Sequence, residues 1–583
     1  MKKFLFLFLI LFAHFSLAQT DKINPKTPPT KDIFFKKENT PNAAPTQKIK
    51  QIHSDSINRK PDLYGGNMFF DGNVEFQHNG AVLTANRVVF YQKENFVKAI
   101  GNVVLVTSDG NRITAEEMEY DGETQRGIAR KNVVLTDPKQ TISTDVLYYD
   151  RVKNTAYFNS GGTINDGRTT MWTQAATYFI DSKMNEFTGN YTIDNAQYRV
   201  EGKNIKQYQS TNTADFFGPT TITNKQKPSN YVYTENGKYL MNQKEVYLNK
   251  NSRIHYNGKI LTGDKMYYNQ LTGFGKGEGN VRLDDPKQKR YIKGGYGEIF
   301  EKKDSAMITQ KPYAVKELKN DTAYIAAEKF LTYQKPDSID NTKKKSFLRA
   351  YKKVRMYMTK AQGRADSLSF NETDGVLHFF RKPIFWSGEK QITGDKIEAY
   401  FNTENENIDS LKVRGNAFAI SKVDSLTMKD EFHQVKGKLM TVFYQNNEMK
   451  LAKVIGNAQS ITYADSEDQK TKKIDRLGVS ISNCGEIEAL FEDRKIQILA
   501  CNIGAQGEIY PMSKIAPEKR KFPDYNWNTK DRPLKWEDIL VDTPNNEEKQ
   551  YETDDTLFRK AEEIRLKEEE KRKPKTIKRD RKL

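Results

Sequence analysis

Residues 83–91 read Leu-Thr-Ala-Asn-Arg-Val-Val-Phe-Tyr, and residues 113–120 read Ile-Thr-Ala-Glu-Glu-Met-Glu-Tyr. Gly-Asn-Val precedes each of them, at 72–74 and at 101–103. The same unit, Gly-Asn-hydrophobic and then hydrophobic-x-small-x-x-hydrophobic-x-hydrophobic, recurs about every 30 residues through most of the chain. Self-similarity at a fixed period indicates a stacked architecture in which each unit needs its neighbours to bury its apolar face.

The spacing within each unit indicates strands. Apolar residues alternate with a period of two on either side of the small residue, and the x-x step between the two halves breaks the alternation by one residue. A β-bulge or a tight corner has this effect, and Ala or Gly suits a place where backbones approach closely. Turn dipeptides such as Asn79-Gly80 and Asp109-Gly110 separate the units. The chain is therefore predicted to be all-β, with its function in a long surface or groove.

The N-terminus indicates export. Met1-Lys2-Lys3 is a positively charged start, residues 4–15 are apolar but too short to span a bilayer, and Ser16-Leu17-Ala18 is typical of a cleavage site. We expect residues 1–18 to be a signal peptide, and the mature protein to be periplasmic, with the outer membrane as a further place of association. N-terminal sequencing of the exported form tests this prediction.

Composition divides the rest of the chain. Residues 19–61 are polar and proline-rich, which predicts a disordered leader. The repeats occupy 62–220 and, more loosely, 221–511. Residues 512–583 are predicted to be an irregular, charged tail, in which Asp555 can cap a short helix with Leu557, Ala561 and Ile564 on one side.

The charge balance favours acidic partners. Lys and Arg number 94 against 76 Asp and Glu, a net charge of +18. Such an excess suits phosphorylated lipid, anionic glycan or nucleic acid. Nucleic acid is the weakest of these, because an exported protein rarely meets it and no binding motif is visible.

The two cysteines, Cys484 and Cys501, flank Phe491-Glu492-Asp493-Arg494. A two-residue loop at Glu492-Asp493 would pair each residue with the one whose number brings the sum to 985. The numbers 484 and 501 sum to 985, so this loop would place the two cysteines opposite each other. Counted from the pair of residues 491 and 494, the cysteines fall on a non-hydrogen-bonded pair, close enough for a bridge. Export permits oxidation, so a disulfide is predicted; two buried free thiols are the alternative.

Signals for catalysis are weak. Five histidines of the mature chain have no metal-ligand spacing and are interpreted as ordinary strand-surface residues: His53, His78, His255, His378 and His433. The glycines at 273, 275, 277 and 279 lack the Lys-Ser/Thr ending of a phosphate loop and are interpreted as a strand. The sequence predicts no catalytic residues, no metal and no cofactor, and a protein that is not an enzyme.

The repeated Gly-Asn-Val and the runs at 83–91 and 113–120 resemble the OstA-like family, which includes the periplasmic lipopolysaccharide-bridge protein LptA and the N-terminal periplasmic domain of LptD. The likeness is closest over about 62–220. It implies an extended antiparallel β-jellyroll that shelters acyl chains, with lipopolysaccharide through its lipid A portion as ligand. It also implies other transport proteins as partners, joined by end-to-end strand pairing. The chain has several times the repeats of one bridge domain, and whether these form one groove or two or three stacked domains stays open.

This resemblance and the stacking of equivalent positions predict a lipid groove. Its candidate residues are Leu83, Ala85, Val88, Phe90, Ile113, Ala115, Met118, Tyr120, Ile142 and Leu147. The leading hypothesis is a periplasmic lipopolysaccharide-transport protein. One alternative is a scaffold at the outer membrane, in which the same positions are a sealed core. Another is an extracellular β-helical enzyme that cleaves polysaccharide, which should cluster acidic or basic residues on one rung.

Overall fold

The computed structural model of the protein describes residues 33–36, 47–319, 321–424, 428–446, 448–467, 474–492 and 495–540. These residues form antiparallel strands and a few short 3-10 turns, so the predicted all-β class is confirmed. The 3-10 turns are Ile33–Phe35, Tyr64–Gly66, Pro286–Gln288, Glu301–Lys303, Pro517–Arg520 and Trp536–Leu540. None of the helical segments in this part of the chain has the length and apolar character to cross a membrane.

The strands follow one another along the chain with short turns between them. The first fifteen are β1 (Lys50–His53), β2 (Ser56–Arg59), β3 (Met68–His78), β4 (Ala81–Tyr91), β5 (Phe96–Val106), β6 (Arg112–Asp121), β7 (Arg126–Thr136), β8 (Thr141–Asp150), β9 (Thr155–Phe158), β10 (Gly162–Asn165), β11 (Thr170–Phe179), β12 (Met184–Asp194), β13 (Tyr198–Tyr208), β14 (Thr213–Phe216) and β15 (Thr220–Asn224). The next twelve are β16 (Tyr231–Thr234), β17 (Asn236–Leu240), β18 (Glu245–Lys250), β19 (Arg253–Tyr256), β20 (Lys259–Thr262), β21 (Lys265–Asn269), β22 (Phe274–Asp285), β23 (Arg290–Phe300), β24 (Ser305–Thr309), β25 (Tyr313–Glu317), β26 (Thr322–Ala326) and β27 (Lys329–Pro336). The last twelve are β28 (Lys344–Tyr357), β29 (Gln362–Asn371), β30 (Val376–Phe380), β31 (Ile384–Ser387), β32 (Lys390–Thr393), β33 (Lys396–Phe401), β34 (Ile408–Asp424), β35 (Met428–Gln445), β36 (Glu448–Glu467), β37 (Ile474–Glu492), β38 (Lys495–Asn502) and β39 (Gln506–Tyr510).

Two compact units make up the chain. Unit 1 comprises the described residues up to Pro312 together with 330–349 and 371–373, and unit 2 comprises 313–329, 350–370 and the described residues from Asp374. The boundaries that composition suggested, at 220 and 511, stay a prediction.

Several long strands bend at a Gly-Asn pair, and β3 is the first of them. In β3, Asp71 lies opposite Arg87 and Val74 lies opposite Ala85, so Gly72 and Asn73 together face only one residue of β4. Gly72 and Asn73 have φ angles of 76° and 43°, which Gly and Asn adopt more readily than other residues. The bend divides the sheet into two arms. We call arm 1 the part of the sheet that contains residues 68–71 and 87–91 and the residues paired with them in later strands. Arm 2 is the part that contains 74–78 and 81–85 and the residues paired with them.

A hydrogen bond fixes this corner. The Nδ2 atom of Asn280 donates to Asp264 at 2.9 Å, and Nδ2 of Asn132 donates to Glu116 at 2.6 Å. The acceptor in both cases is the residue directly after the small position, on the neighbouring strand. At Gly202 the small residue is required by the close approach of backbone, because a Cβ atom there would lie 2.8 Å from Pro219 O.

The predicted disordered leader is wrong in its second half. Residues 50–53 and 56–59 are strands β1 and β2, and both pair with β3. Phe35 also packs into a cluster with Phe69 and Phe96 on the outer surface of arm 1. Composition does not reveal such a segment, because the main-chain hydrogen bonds of an added strand require no particular side chains. The predicted signal peptide and the helix after Asp555 lie outside the described residues.

The predicted register of the last hairpin is also wrong. Glu492 lies opposite Lys495, and Cys501 lies opposite Ile487 and not opposite Cys484. The numbers of this first pair already sum to 987 and not to 985, and the irregularity between Leu490 and Phe491 shifts the pairing by one residue more. Cys484 and Cys501 are nevertheless joined by a disulfide, with their Cα atoms 5.9 Å apart.

The segment after β39 covers the outer surface of arm 2 in unit 2. The amide group of Gln434 bonds the backbone twice, to Arg520 O and to Phe522 N. Gln391 makes the same pair of bonds with Asn526 O and Asn528 N. The bonds of these two glutamine side chains hold the segment in place across the strands.

Candidate functional site

A continuous apolar row runs along the inner surface of arm 2 through unit 1. Each member lies directly opposite the next in the strand register. Its sixteen members are Phe76, Leu83, Leu105, Ile113, Leu135, Ile142, Ile164, Met171, Ile193, Val200, Ile222, Val232, Ile254, Leu261, Leu283 and Ile292. With strands about 4.8 Å apart, the row is about 70 Å long. We call it the inner row.

The inner surface of arm 1 faces this row. In its first strands large and small side chains alternate across the register, in the order Val88, Ala99, Met118, Ala129 and Leu147. The two arms meet through ring contacts. The Phe76 ring centroid lies 5.2 Å from that of Phe70 and 5.5 Å from that of Phe90. The space between the arms is therefore lined by hydrocarbon on both sides.

The structure places all ten predicted groove residues in this interior. On arm 2 are Leu83, Ala85, Ile113, Ala115 and Ile142, and on arm 1 are Val88, Phe90, Met118, Tyr120 and Leu147. None is more than 8% exposed, so the interior is closed over them. Whether they contact lipid stays a prediction.

Sequence reasoning missed most of the inner row beyond the third repeat. The signal was present, because members such as Val200 and Ile292 stand two residues before the small residues Gly202 and Gly294. Ile193 and Val200 differ from most of the row in being only half-buried. The interior is therefore least covered where β12 and β13 meet.

A polar bridge joins the tips of the arms at the first repeats. The His78 ring, on arm 2, has its Nδ1 atom 2.8 Å from the hydroxyl of Tyr120 on arm 1. Its Nε2 atom donates to Gln47 O at 2.9 Å, so Nδ1 is the acceptor for the tyrosine. His78 is 5% exposed, which corrects its interpretation as a strand-surface residue. Burial lowers the pKa of His78 and raises the pKa of Tyr120 to about 12, so both are neutral at neutral pH.

Similar bridges continue along the opening of unit 1, which we call the mouth. The Tyr178 hydroxyl donates to Asp137, and Nδ2 of Asn185 donates to Gln140 at 2.9 Å. Farther along, the ammonium of Lys259 lies 3.5 Å from Asp304, with both side chains largely buried. The bridges join arm to arm by hydrogen bonds and ion pairs, whereas hydrocarbon contacts predominate deeper inside.

The N-terminal segment and one arginine also cross the mouth. Ile49 is buried, and its backbone N–H donates to the Asn95 side chain at 2.9 Å. Arg151, in the turn after β8 on arm 1, donates from Nη1 to His78 O at 2.9 Å and from Nη2 to the Ser108 hydroxyl at 3.1 Å. These contacts close the mouth of the first repeats over the candidate groove.

The turns that border the mouth carry exposed basic side chains. They are Lys93, Lys139, Lys153, Arg168, Lys225, Lys227, Lys287, Lys289, Lys302 and Lys303. These basic side chains outnumber the exposed acidic side chains of the same turns, such as Glu94, Asp109 and Asp181, and they lie next to an apolar interior. This arrangement suits an amphiphile with hydrocarbon tails and an anionic head group.

Comparison with known proteins gives two family matches. Residues 46–203 match the family described as OstA-like protein, and residues 165–291 match the family described as lipopolysaccharide-assembly, LptC-related. Together they span 46–291, which includes most of unit 1 and every member of the inner row except Ile292. Neither description names an enzyme.

Among solved structures, the chain is similar to LptH from Pseudomonas aeruginosa, the LptA-homologous periplasmic component of a lipopolysaccharide transport device. The sequences are 12% identical, the match covers 26% of this chain and 95% of LptH, and the TM-score is 0.19. None of the curated proteins matches the chain.

Proposed function

We propose that this protein binds lipopolysaccharide in the periplasm and takes part in its transport to the outer membrane. The matches of residues 46–203 to the OstA-like family and of residues 165–291 to the lipopolysaccharide-assembly, LptC-related family support this proposal. In this proposal the lipid A acyl chains lie between the arms of unit 1 and its phosphates meet the basic turns at the mouth. The observation that carries the proposal is the inner row, because sixteen apolar positions in continuous register provide one path of hydrocarbon about 70 Å long.

Burial of an acyl chain would offset the hydrogen bonds that close the mouth. Each hydrogen bond at the mouth contributes about 1 kcal/mol net, so separation of two or three neighbouring bridges costs a few kcal/mol. Burial of an acyl chain of about ten methylenes contributes about 8 kcal/mol. One chain therefore more than offsets the loss of the local bridges, and the half-buried pair Ile193 and Val200 is the proposed place of first contact.

The experiment is photo-crosslinking in living cells, with a photoreactive amino acid at Leu83, Ile113 or Val200. The matched controls are Thr84 and Thr114, because a shift of one residue along a strand turns the probe to the outer surface. We expect crosslinks to lipopolysaccharide from the inner positions only. Circular dichroism checks that each variant folds.

The scaffold alternative has one observation in its favour, namely that all ten predicted groove residues are buried. It predicts that probes at Leu83 and Ile113 crosslink only to the protein's own chain. A β-helical enzyme is disfavoured, because the strands pair antiparallel whereas a β-helix stacks its strands in parallel.

The end strands offer a place for neighbouring components. Strands β38 and β39 both pair with β37, and their side chains Ile498 and Ile509 are 55% and 69% exposed. We propose that another transport component adds a strand here, which main-chain hydrogen bonding allows for any sequence of suitable shape. Site-specific crosslinking from Ile498 and Ile509, with mass spectrometry of the product, tests the proposal, and cell fractionation tests association with the outer membrane.

A further inference from the structure

Two corners of unit 2, at 352–353 and at 381–382, have no Gly-Asn pair. Between β30 and β31 the left-handed positions are occupied by Arg381 and Lys382, with φ angles of 61° and 52°. At a later corner Gly415 and Asn416 occupy the equivalent positions, with φ angles of 69° and 46°. For residues other than Gly and Asn this conformation costs about 1–2 kcal/mol each. Strain of this kind is concentrated at functional sites, where it serves a purpose other than stability.

A cavity of about 580 Å³, broadly open to solvent, lies beside the corner at 381–382. It is lined by Ser367, Phe380, Arg381, Lys382 and Asp395, all of which belong to unit 2. The volume lies in the range of sites that bind small molecules. The cavity on the outside of the corner is therefore bordered by two cations, a hydroxyl, a carboxylate and an aromatic ring.

The cations retain capacity for a ligand. Arg381 Nη1 lies 3.1 Å from Asp366, which leaves other guanidinium donors for a second acceptor. Within the described residues no carboxylate pairs with Lys382, whose side chain is exposed. Asp395 accepts hydrogen bonds from Asn416 Nδ2 at 3.2 and 3.1 Å, and a carboxylate has further lone pairs for hydroxyl donors.

The preceding two-residue corner provides a comparison. Lys352 and Lys353 have the same left-handed angles, 61° and 52°. Their ammonium groups lie 3.7 and 3.0 Å from Glu328, so a carboxylate of the protein already faces both charges. Charge at a corner is therefore compatible with a purely internal role at 352–353, where a carboxylate faces both cations. At 381–382, in the described part of the chain, a carboxylate faces only Arg381, and both side chains also line the cavity.

We propose that this cavity binds a phosphorylated sugar. The phosphate contacts Arg381 and Lys382, since guanidinium groups pair with phosphate through two parallel hydrogen bonds. Ser367 and Asp395 accept hydrogen bonds from the sugar hydroxyls, and Phe380 forms an apolar wall. The phosphosugar can come from a lipid head group or from a free sugar phosphate. The inference stands apart from lipid binding in unit 1.

The test uses the full-length mature protein and two double variants. Arg381→Gly/Lys382→Asn restores the Gly-Asn corner, so it is expected to fold at least as stably as the wild type. Lys352→Gly/Lys353→Asn removes the same charge from the neighbouring corner and is the matched control. Thermal unfolding of both variants verifies the fold.

Binding is measured by calorimetry with glucose 6-phosphate as the free probe, and by flotation with phosphatidylcholine vesicles with and without lipid A. We expect saturable binding of at least one phosphosugar probe, a loss of at least tenfold in affinity for the 381–382 variant, and less than twofold change for the 352–353 variant. Binding to lipid A vesicles that glucose 6-phosphate does not displace assigns the lipid head group as the source, and displacement assigns a site open to free sugar phosphates. Absence of saturable binding to both probes, or equal weakening in both variants, overturns the proposal.

Discussion

The Nδ1 atom of His78 accepts a hydrogen bond from the hydroxyl of Tyr120 at 2.8 Å, and this contact joins arm 2 to arm 1 across the mouth of the first repeats. The residues are 42 positions apart in the sequence. The bond lies between the candidate groove inside and the basic turns outside. Its strength therefore affects how readily the arms separate.

Replacement of Tyr120 by Phe should loosen the mouth. The variant loses one bridge and leaves His78 Nδ1 without that donor, which should lower the unfolding free energy by about 1 kcal/mol. If separation of the arms limits uptake, the rate of uptake of a fluorescent lipopolysaccharide should rise about fivefold, since 1.4 kcal/mol corresponds to a factor of ten. Stopped-flow fluorescence measures this rate. Tyr247→Phe is the control because its hydroxyl contacts Glu245 on the same strand, and equal rates for the two variants would contradict a gating role of the bridge.

Asn280 should contribute to stability through both its backbone and its side chain. It has a φ of 44° and donates to Asp264 at 2.9 Å. Asn280→Ala should lower the unfolding free energy by about 2 kcal/mol, because it adds left-handed strain and removes the hydrogen bond. Asn280→Gly removes only the bond and should cost about 1 kcal/mol. Urea unfolding monitored by circular dichroism measures both values; a glycine variant less stable than the alanine variant would refute the strain argument.

The Cys484–Cys501 disulfide should be present in protein isolated from the periplasm. Closure of a loop of 17 residues contributes about 3 kcal/mol by the chain-entropy model. Peptide mapping without reductant should recover the linked pair. The Cys484→Ser/Cys501→Ser variant should unfold at lower denaturant concentration, and the same shift should appear when the wild type is reduced. Two freely alkylated thiols in the native protein would disprove the bridge.

The protein should lose stability as pH falls below about 6.5, in part because of His433. Burial lowers the pKa of His433 to about 4; Asp465 opposes this effect and Arg476 adds to it. Its Nδ1 atom accepts a hydrogen bond from the Tyr463 N–H at 3.3 Å, which requires the unprotonated nitrogen. The folded-state pKa lies below the unfolded value of 6.5. The contribution of His433 to the free energy of unfolding is therefore complete above pH 6.5. It is lost between pH 6.5 and 4, by about 3 kcal/mol in total.

Thermal unfolding of wild type and His433→Gln across this pH range tests the expectation. The variant should show a shallower decline, because glutamine does not titrate. His255, whose burial lowers its pKa to about 4 in unit 1, provides an independent second site for the same comparison. Identical pH profiles for the wild type and His433→Gln would show that His433 does not contribute.

Much of the architecture could be predicted from the repeat. The alternation at Leu83 and Ala85, and the break at the following two residues, gave both the strands and their corner, as the register of β3 with β4 shows. The inward direction of all ten candidate groove residues follows from the same period, because successive side chains of a strand point to opposite faces. The same period places His78 on the inner side of β3 with Val74 and Phe76. Its role as a bridge could not be recognised, since its partners Tyr120 and Gln47 are remote in sequence.

The sequence by itself determined the local features of this protein, namely the strands, the Gly-Asn corner and the apolar inner row, because each depends on residues within one repeat or on the next repeat along the chain. The tertiary structure alone decided that Arg151 crosses the mouth, that residues 50–59 extend the sheet, and that Cys501 lies opposite Ile487. These features depend on distances between atoms of distant segments and on one irregular pair in a hairpin. Such features produce no repeating pattern in the sequence, because each of them occurs only once in the chain.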